Sequence, residues 1–188
     1  MDIVSDLEGA ERLVKATGWN RIGIDGVEGA GKSYLAEKLC EVLEYPQLNL
    51  DDYLHQNQGG YVDFIDYPAL SAAMKSLPAF VLSGLCLREV LANVDTELDG
   101  HVYIKRMSNG VWVDEDQCVF PDGVDAAIDS LARQRAMISD YFDEPRDLSG
   151  PVIDGEQPEF VQEVMRYHEA YAPQDDADLI FERTAGGG

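Results

Sequence analysis

Apolar positions recur along this chain with two different periods, and the alternation between them is the first structural signal. Leu7, Ala10, Leu13 and Val14 repeat at helical spacing behind Ser5-Asp6-Leu7-Glu8, which reads as a capping box, and Thr17-Gly18 closes that helix. Arg21-Ile22-Gly23-Ile24-Asp25 predicts a first strand, and Leu35, Leu39, Val42 and Leu43 predict a helix over about 32–44. Pro46 breaks the chain, Leu48-Asn49-Leu50-Asp51 reads as a short second strand, and a polar loop with Gly59-Gly60 follows. Pro68 suits the first position of a helix whose face carries Leu70, Ala73, Met74 and Leu77. Ala79-Phe80-Val81-Leu82 is an unbroken apolar run, as expected of a parallel strand buried on both faces. Leu87, Val90, Leu91 and Val94 mark a short helix, and His101-Val102-Tyr103-Ile104 a fourth strand. Ser108-Asn109-Gly110 then turns the chain, and Val111-Trp112-Val113 returns as a hairpin. Helical spacing resumes at Val124, Ala127, Ile128, Leu131, Ile138 and Tyr141, with Pro145 and Pro151 bracketing a loop. Pro158 opens a last helix with Phe160, Val161, Val164, Met165 and His168, and Asp178-Leu179-Ile180-Phe181 is a terminal strand. Strands alternating with helices predict an α/β fold with a mainly parallel sheet. No internal repeat or long linker divides the chain, so residues 1–188 read as a single domain.

Charge narrows the partners. The 188 residues carry 14 Lys+Arg against 36 Asp+Glu, a net charge of −22, and the lysines are confined to Lys15, Lys32, Lys38, Lys75 and Lys105. Such a field repels nucleic acid and anionic membrane, so neither is expected as a partner. It also opposes any polyanionic ligand, which would need a cation and local positive charge to offset the repulsion. Cys40, Cys86 and Cys118 are far apart and form no C-x-x-C, so neither zinc nor a disulfide framework is expected. Free thiols fit a reducing cytoplasm. Met1 leads into acidic residues rather than a signal peptide, and no apolar run reaches about 18 residues.

Candidate chemistry is concentrated in Gly26-Val27-Glu28-Gly29-Ala30-Gly31-Lys32-Ser33, which satisfies G-x-x-x-x-G-K-[ST], the P-loop pattern. Its strand-before, helix-after context is the arrangement that lets backbone N–H groups and a helix N-terminus hold a polyphosphate. Lys32 would reach the β- and γ-phosphates, Ser33 would ligate Mg²⁺, and Tyr34 would complete the nucleotide site. No N/T-K-x-D guanine signature occurs, which favours ATP. Asp51-Asp52-Tyr53 follows the second strand, on the sheet edge where ligands of open α/β sheets bind. A carboxylate there can take a proton from an attacking hydroxyl or hold magnesium through water. His55 lies in the same loop and could touch a ligand, whereas His168 reads as structural and Trp112 as edge-strand packing. Lys105 and Arg106 end the fourth strand on the P-loop edge.

The chain resembles the uridine kinase and phosphoribulokinase group of P-loop kinases. Four places carry the likeness: Ile24-Asp25-Gly26 through Ser33, Leu50-Asp51-Asp52-Tyr53, Asp66-Tyr67-Pro68-Ala69, and Tyr171-Ala172-Pro173 with Ala177-Asp178-Leu179-Ile180. The resemblance implies a P-loop NTPase-type three-layer α/β/α sandwich, a mainly parallel five-stranded sheet in the order 2-3-1-4-5, and a helical lid over about 123–170. It implies Asp51 as catalytic base, Asp66 and Tyr53 on the acceptor, Asp52 near the metal, and Arg133, Arg135 and Arg146 as lid residues on phosphate. ATP and Mg²⁺ are the implied cofactors, a small-molecule hydroxyl compound the implied partner, and homo-oligomerisation is left open. Three departures stand out: Ser83-Gly84 replaces the family's Glu-Gly, the segment before the third strand is short, and R-R-x-x-R-D is reduced to Arg133-Gln134-Arg135. Uridine specificity therefore does not carry over. Two other classes stay open: a nucleotide-hydrolysing switch or motor subunit, for which the Walker-B Asp at the end of the third strand is missing, and a nucleotide-binding module without kinase activity, which Ser83 favours.

Overall fold

A computed structural model describes residues 1–55, 60–141 and 159–184, with backbone only for 135–141 and 159. β1 (Asp2–Val4), β2 (Arg21–Asp25), β3 (Gln47–Asn49), β4 (Phe80–Ser83), β5 (Gly100–Ser108), β6 (Val111–Trp112) and β7 (Leu179–Thr184) form one sheet. Its order is β1-β7-β5-β2-β4-β3, every neighbouring pair on that path is parallel, and β6 pairs antiparallel with β5. Read from the β3 edge, the five expected strands stand in the expected order 2-3-1-4-5. The count is corrected from five to seven. β1 adds an outer edge beside β7, and the Asn109-Gly110 hairpin adds β6, both turn residues having positive φ (51° and 79°).

Helices α1 (Leu7–Thr17), α2 (Lys32–Leu43), α3 (Tyr67–Ser76), α4 (Leu87–Leu91), α5 (Val124–Tyr141) and α6 (Glu159–Tyr171) alternate with the strands. Right-handed crossovers dictate their layers. The β1–α1–β2 and β2–α2–β3 connections travel towards the β3 edge, and α1 packs on α2. The β4–α4–β5 connection and the one through α6 to β7 travel the other way, which puts α4 and α6 together on the opposite face. Gly23 belongs to that second face: a Cβ there would lie 2.7 Å from Leu87 of α4. Between the layers the strands are buried as the apolar runs require, with Ile22, Ile24, Phe80, Val81, Leu82, Val102, Ile104, Leu179 and Phe181 in one core.

Two boundaries differ from expectation for identifiable reasons. The α1 cap is Asp6, not Ser5: its extended backbone lets the carboxylate accept from Gly9 N–H at 2.7 Å. The second strand ends at Asn49, because the Asn49 side chain accepts from Asp51 N–H at 3.2 Å and starts a 3-10 turn over Leu50–Tyr53. Among the described residues no helix is long and apolar enough to cross a membrane.

Candidate active site

β2 delivers the chain to the phosphate loop at Asp25, and α2 begins at Lys32. Between them Gly26 (φ 147°) and Gly31 (φ 102°) hold conformations that a side chain would strain. A Cβ on Gly26 would sit 3.0 Å from the Ile104 carbonyl oxygen of β5, so glycine is also required for the close approach of the two backbones. Gly31 offers α2 no side-chain cap, so the first turn, with Ser33 and Tyr34 exposed, presents its positive end to the cleft. Lys32 spans the loop and donates from Nζ to the carbonyl oxygens of Gly26 (2.9 Å) and Val27 (2.8 Å). Burial pulls its pKa down, opposed by Asp25, Asp51 and Glu28.

A cleft of about 400 Å³ opens beside the loop. Glu28, Gly29, Gly31, Lys32, Ser33 and Tyr34 form one wall, Asn49, Asp51, Leu54 and Tyr61 another, and Ser83, Gly84, Leu85 and Phe160 the rest. The structure thus brings Asp51 together with the P-loop, at the C-terminal ends of β2, β3 and β4, as the sheet rule requires. Ser83 ends β4 and is 1% exposed, and its Oγ has no hydrogen-bond partner among the described residues. A buried, unsatisfied hydroxyl costs about 1–3 kcal/mol unless a ligand meets it, so its position in the cleft wall is informative.

Asp51 is held by Tyr61, a residue the sequence reading missed. The buried Tyr61 hydroxyl donates to Asp51 Oδ1 at 2.8 Å and receives the Leu85 N–H at 3.4 Å. Burial, with the Asp51 charge beside it, pushes the Tyr61 pKa upward, so it remains a donor. Tyr61 comes from a segment without periodicity that α6 pins in place, the Glu163 carboxylate accepting from Tyr61 N–H and Val62 N–H at 2.8 Å each. Tyr167 on α6 repeats the pattern: it receives Arg88 N–H at 3.2 Å and donates to Asp25 Oδ2, while Gly26 N–H donates to Asp25 Oδ1 at 2.7 Å. Asp25 is buried, and desolvation raises its pKa against these bonds.

His168 lies beneath this pair. Its Nδ1 faces the Val164 carbonyl at 2.7 Å, which can only accept, so the proton is on Nδ1 and Nε2 accepts from the Tyr103 hydroxyl at 2.8 Å. Cys118 Sγ, 3.4 Å away, then donates to Tyr103. Burial lowers the His168 pKa, in keeping with a neutral ring.

The remaining sequence candidates fall elsewhere. Tyr53, His55 and Asp66 share a short ribbon, in which Asp66 N–H donates to the Tyr53 carbonyl (2.7 Å) and His55 N–H to the Phe64 carbonyl (2.9 Å). Asp66 caps α3, accepting from Ala69 N–H at 3.0 Å. None of these three, nor Asp52, lines the cleft. Arg133 is exposed on α5, Arg135 is on the same helix, and Arg146 lies outside the described residues. Trp112 packs edge-on against Tyr103 and carries Lys105 over its ring at 4.3 Å, which makes it part of the sheet rather than of the cleft. A second cavity of about 520 Å³, between Val62–Phe64, α4 and α6, contains no P-loop residue.

Two arginines lie against the loop, next to the cleft wall but not among the residues that line it. Arg106 of β5 and Arg183 of β7 are register partners in the sheet. Arg106 is fixed by buried Asp114, which accepts from Nε at 2.9 Å and from Nη2. Arg183 Nη1 donates to the Ala30 carbonyl at 3.2 Å and lies 3.5 Å from that of Gly29.

A parallel sheet is ordered around the P-loop strand, with the loop, a lysine and a carboxylate at one cleft, and the chain has the α/β fold of the P-loop kinases. Among solved structures it is similar to a chain described as a possible uridine kinase from Bacillus stearothermophilus, at 14% identity and a TM-score of 0.51, covering 94% of this chain and 97% of that one. At that identity the likeness is one of fold. A shikimate kinase from Bacteroides thetaiotaomicron (14% identity, 88% and 86% covered, TM-score 0.40) and a gluconokinase from Sinorhizobium meliloti 1021 (16%, 85% and 94%, TM-score 0.32) also align. No protein-family profile matches the sequence, and no curated protein is similar to it.

Proposed function

We propose that this protein transfers the γ-phosphoryl group of ATP to a hydroxyl of a small molecule, in the manner of nucleoside, sugar or vitamin kinases. The observation that carries the reading is the single cleft in which Lys32, Asp51 and the unpartnered Ser83 hydroxyl meet. Lys32 would exchange its two loop carbonyls for the β- and γ-phosphate oxygens. Asp51 Oδ2, which has no protein hydrogen bond among the described residues, would take the acceptor's proton as its oxygen bonds to phosphorus and the bond to ADP breaks. Tyr61 would keep that carboxylate in one orientation. The donors present also suit Mg²⁺: Ser33 is exposed on the first turn of α2, and Ser83 lies in the same cleft. Among the described residues no three His, Cys, Asp or Glu side chains group to hold an ion, so phosphate oxygens would complete its shell. Bound there, Mg²⁺ would neutralise phosphate charge, with Asp52 the candidate to act through water. Arg133, Arg135 and Arg146 would belong to a lid that closes to exclude water, while α6, at the end of the 123–170 span, would stay in the core where Tyr167 and His168 hold it.

The test is a screen of nucleosides, sugars and vitamins for acceptor-stimulated ADP release. One acceptor should raise ADP release well above the rate with ATP alone, and Lys32→Ala should abolish it. Tight ATP binding with no acceptor response would instead identify a nucleotide-binding module, the reading that Ser83 in place of a carboxylate favours.

A further inference from the structure

Arg183 is a cation with no carboxylate partner among the described residues, in a chain where acids outnumber bases 36 to 14. Its neighbour Arg106 is paired with Asp114, whereas Arg183, like Lys32 of the loop itself, has no ion pair among the described residues. The Arg183 guanidinium lies against the phosphate loop: Nη1 is 2.8 Å and Cζ 3.2 Å from where a Cβ on Gly31 would stand. Arg106 Nη1 is 3.5 Å from the corresponding point on Gly29. Both positions are set by the sheet, since β5 and β7 continue in register to Met107↔Thr184. Arg183 Nη1 is engaged by loop carbonyls, and the Nη2 and Nε donors have no partner among the described residues. A half-buried, unneutralised guanidinium beside a P-loop has the charge and the forked donors that phosphate oxygens require.

We propose that Arg183 is a nucleotide-binding residue: held against the P-loop carbonyls beside the Arg106–Asp114 pair, its guanidinium takes a phosphate of the bound nucleoside di- or triphosphate. The proposal rests on the nucleotide-binding part of the reading above. It places on β7 a positive charge of the kind a polyanionic ligand needs in a chain of net charge −22.

The test is titration of Mg²⁺-ATP and Mg²⁺-ADP into the intact wild-type chain, Arg183→Gln and Arg183→Lys, at low and high salt, with thermal unfolding of each. Gln removes the charge and, being shorter, also loosens the contact with the loop carbonyls, while Lys keeps the charge, so the salt dependence and the Gln–Lys difference separate charge from bracing. A charge-assisted contact predicts that Arg183→Gln weakens both nucleotides about 10–100-fold at low salt. Arg183→Lys should lose less, and the wild-type advantage should shrink at high salt as screening grows. Equal affinity in wild type and Arg183→Gln overturns the proposal. So does a loss that is the same at both salts and equal for Gln and Lys, which would make Arg183 a brace for the loop. A wild type that binds no nucleotide overturns it together with the nucleotide site. A wild type that binds ATP but shows no acceptor-stimulated turnover removes the kinase reading and leaves Arg183 to be judged by the titrations.

Discussion

Asp51 and Asp52 are adjacent in sequence and unequal in space, and the roles proposed for them rest on that inequality. The 3-10 turn that Asn49 starts puts Asp51 in the cleft wall, where Tyr61 donates to one carboxylate oxygen, while Asp52 lies outside the wall. A base acts in the transition state, so removing it lowers kcat much more than it raises the KM for ATP. Asp51→Asn keeps the shape and removes the charge, and is expected to lower kcat about 10²–10⁴-fold in the acceptor-dependent assay. Asp52→Asn should do less. Near-normal turnover in Asp51→Asn with loss in Asp52→Asn would show that the two roles are exchanged, and normal turnover in both would remove the base from this loop. Asp51 was legible because it stands after a strand next to a glycine loop. Tyr61 was not, since a tyrosine in a polar, aperiodic segment carries no signal until α6 pins that segment through Glu163.

At the scale of elements, α6 is the strut that supports the site from beneath. Tyr167 holds Asp25 at the end of β2, and His168 holds Tyr103 of β5, so one helical turn fixes two neighbouring strands at the level of the loop. The His168 ring is neutral in the fold, with its pKa lowered by burial below the ordinary 6.5. The unfolded chain therefore binds the proton more readily. The stability this ring contributes is present above about pH 6.5 and is lost as pH falls through that value towards the lower folded pKa. Thermal midpoints measured across that window should drop with acidification more steeply in wild type than in His168→Leu, whatever the absolute stability of the variant. Parallel curves would mean that His168 does not titrate with folding. The periodic elements were readable because apolar spacing marks what the core needs: the α2 helix and the fully buried β4 follow from it, whereas the strand order was implied only by the family resemblance. β1 was hidden because three half-exposed residues carry no period. Lys105 and Arg106 were read at the end of the fourth strand on the P-loop edge, but the end of β7 was hidden because strand pairing, not burial, extends it past Phe181. That extension is what brings Arg183 to the loop.

Over the whole molecule the balance of charge is set by scarcity of cations. With 14 basic residues against 36 acidic ones, most carboxylates have no cation to pair with, and the folded chain compresses their repulsion into a smaller volume than the unfolded one. The ion pairs that do form are mainly at the surface, such as Lys38–Glu41 and Arg166–Asp125, and surface pairs contribute about 0–1 kcal/mol each. Repulsion therefore outweighs attraction in the long-range field, and screening should stabilise the fold. Raising NaCl from about 0.01 M to about 0.15 M shortens the screening length from roughly 30 Å, on the scale of the whole domain, to roughly 8 Å. The thermal midpoint at neutral pH is expected to rise over that range, and the rise should shrink near pH 4, where the carboxylates take up protons. An uncharged osmolyte at matched concentration separates screening from general exclusion at the surface, since only the salt response should collapse at low pH. A midpoint that falls with NaCl at neutral pH would show that paired charges, not the excess of acids, govern stability. The same screening acts on the ligand: long-range repulsion of a nucleotide weakens with salt while the local attraction at Lys32 and Arg183 weakens too. Only the Arg183 variants measured at both salts separate the two effects.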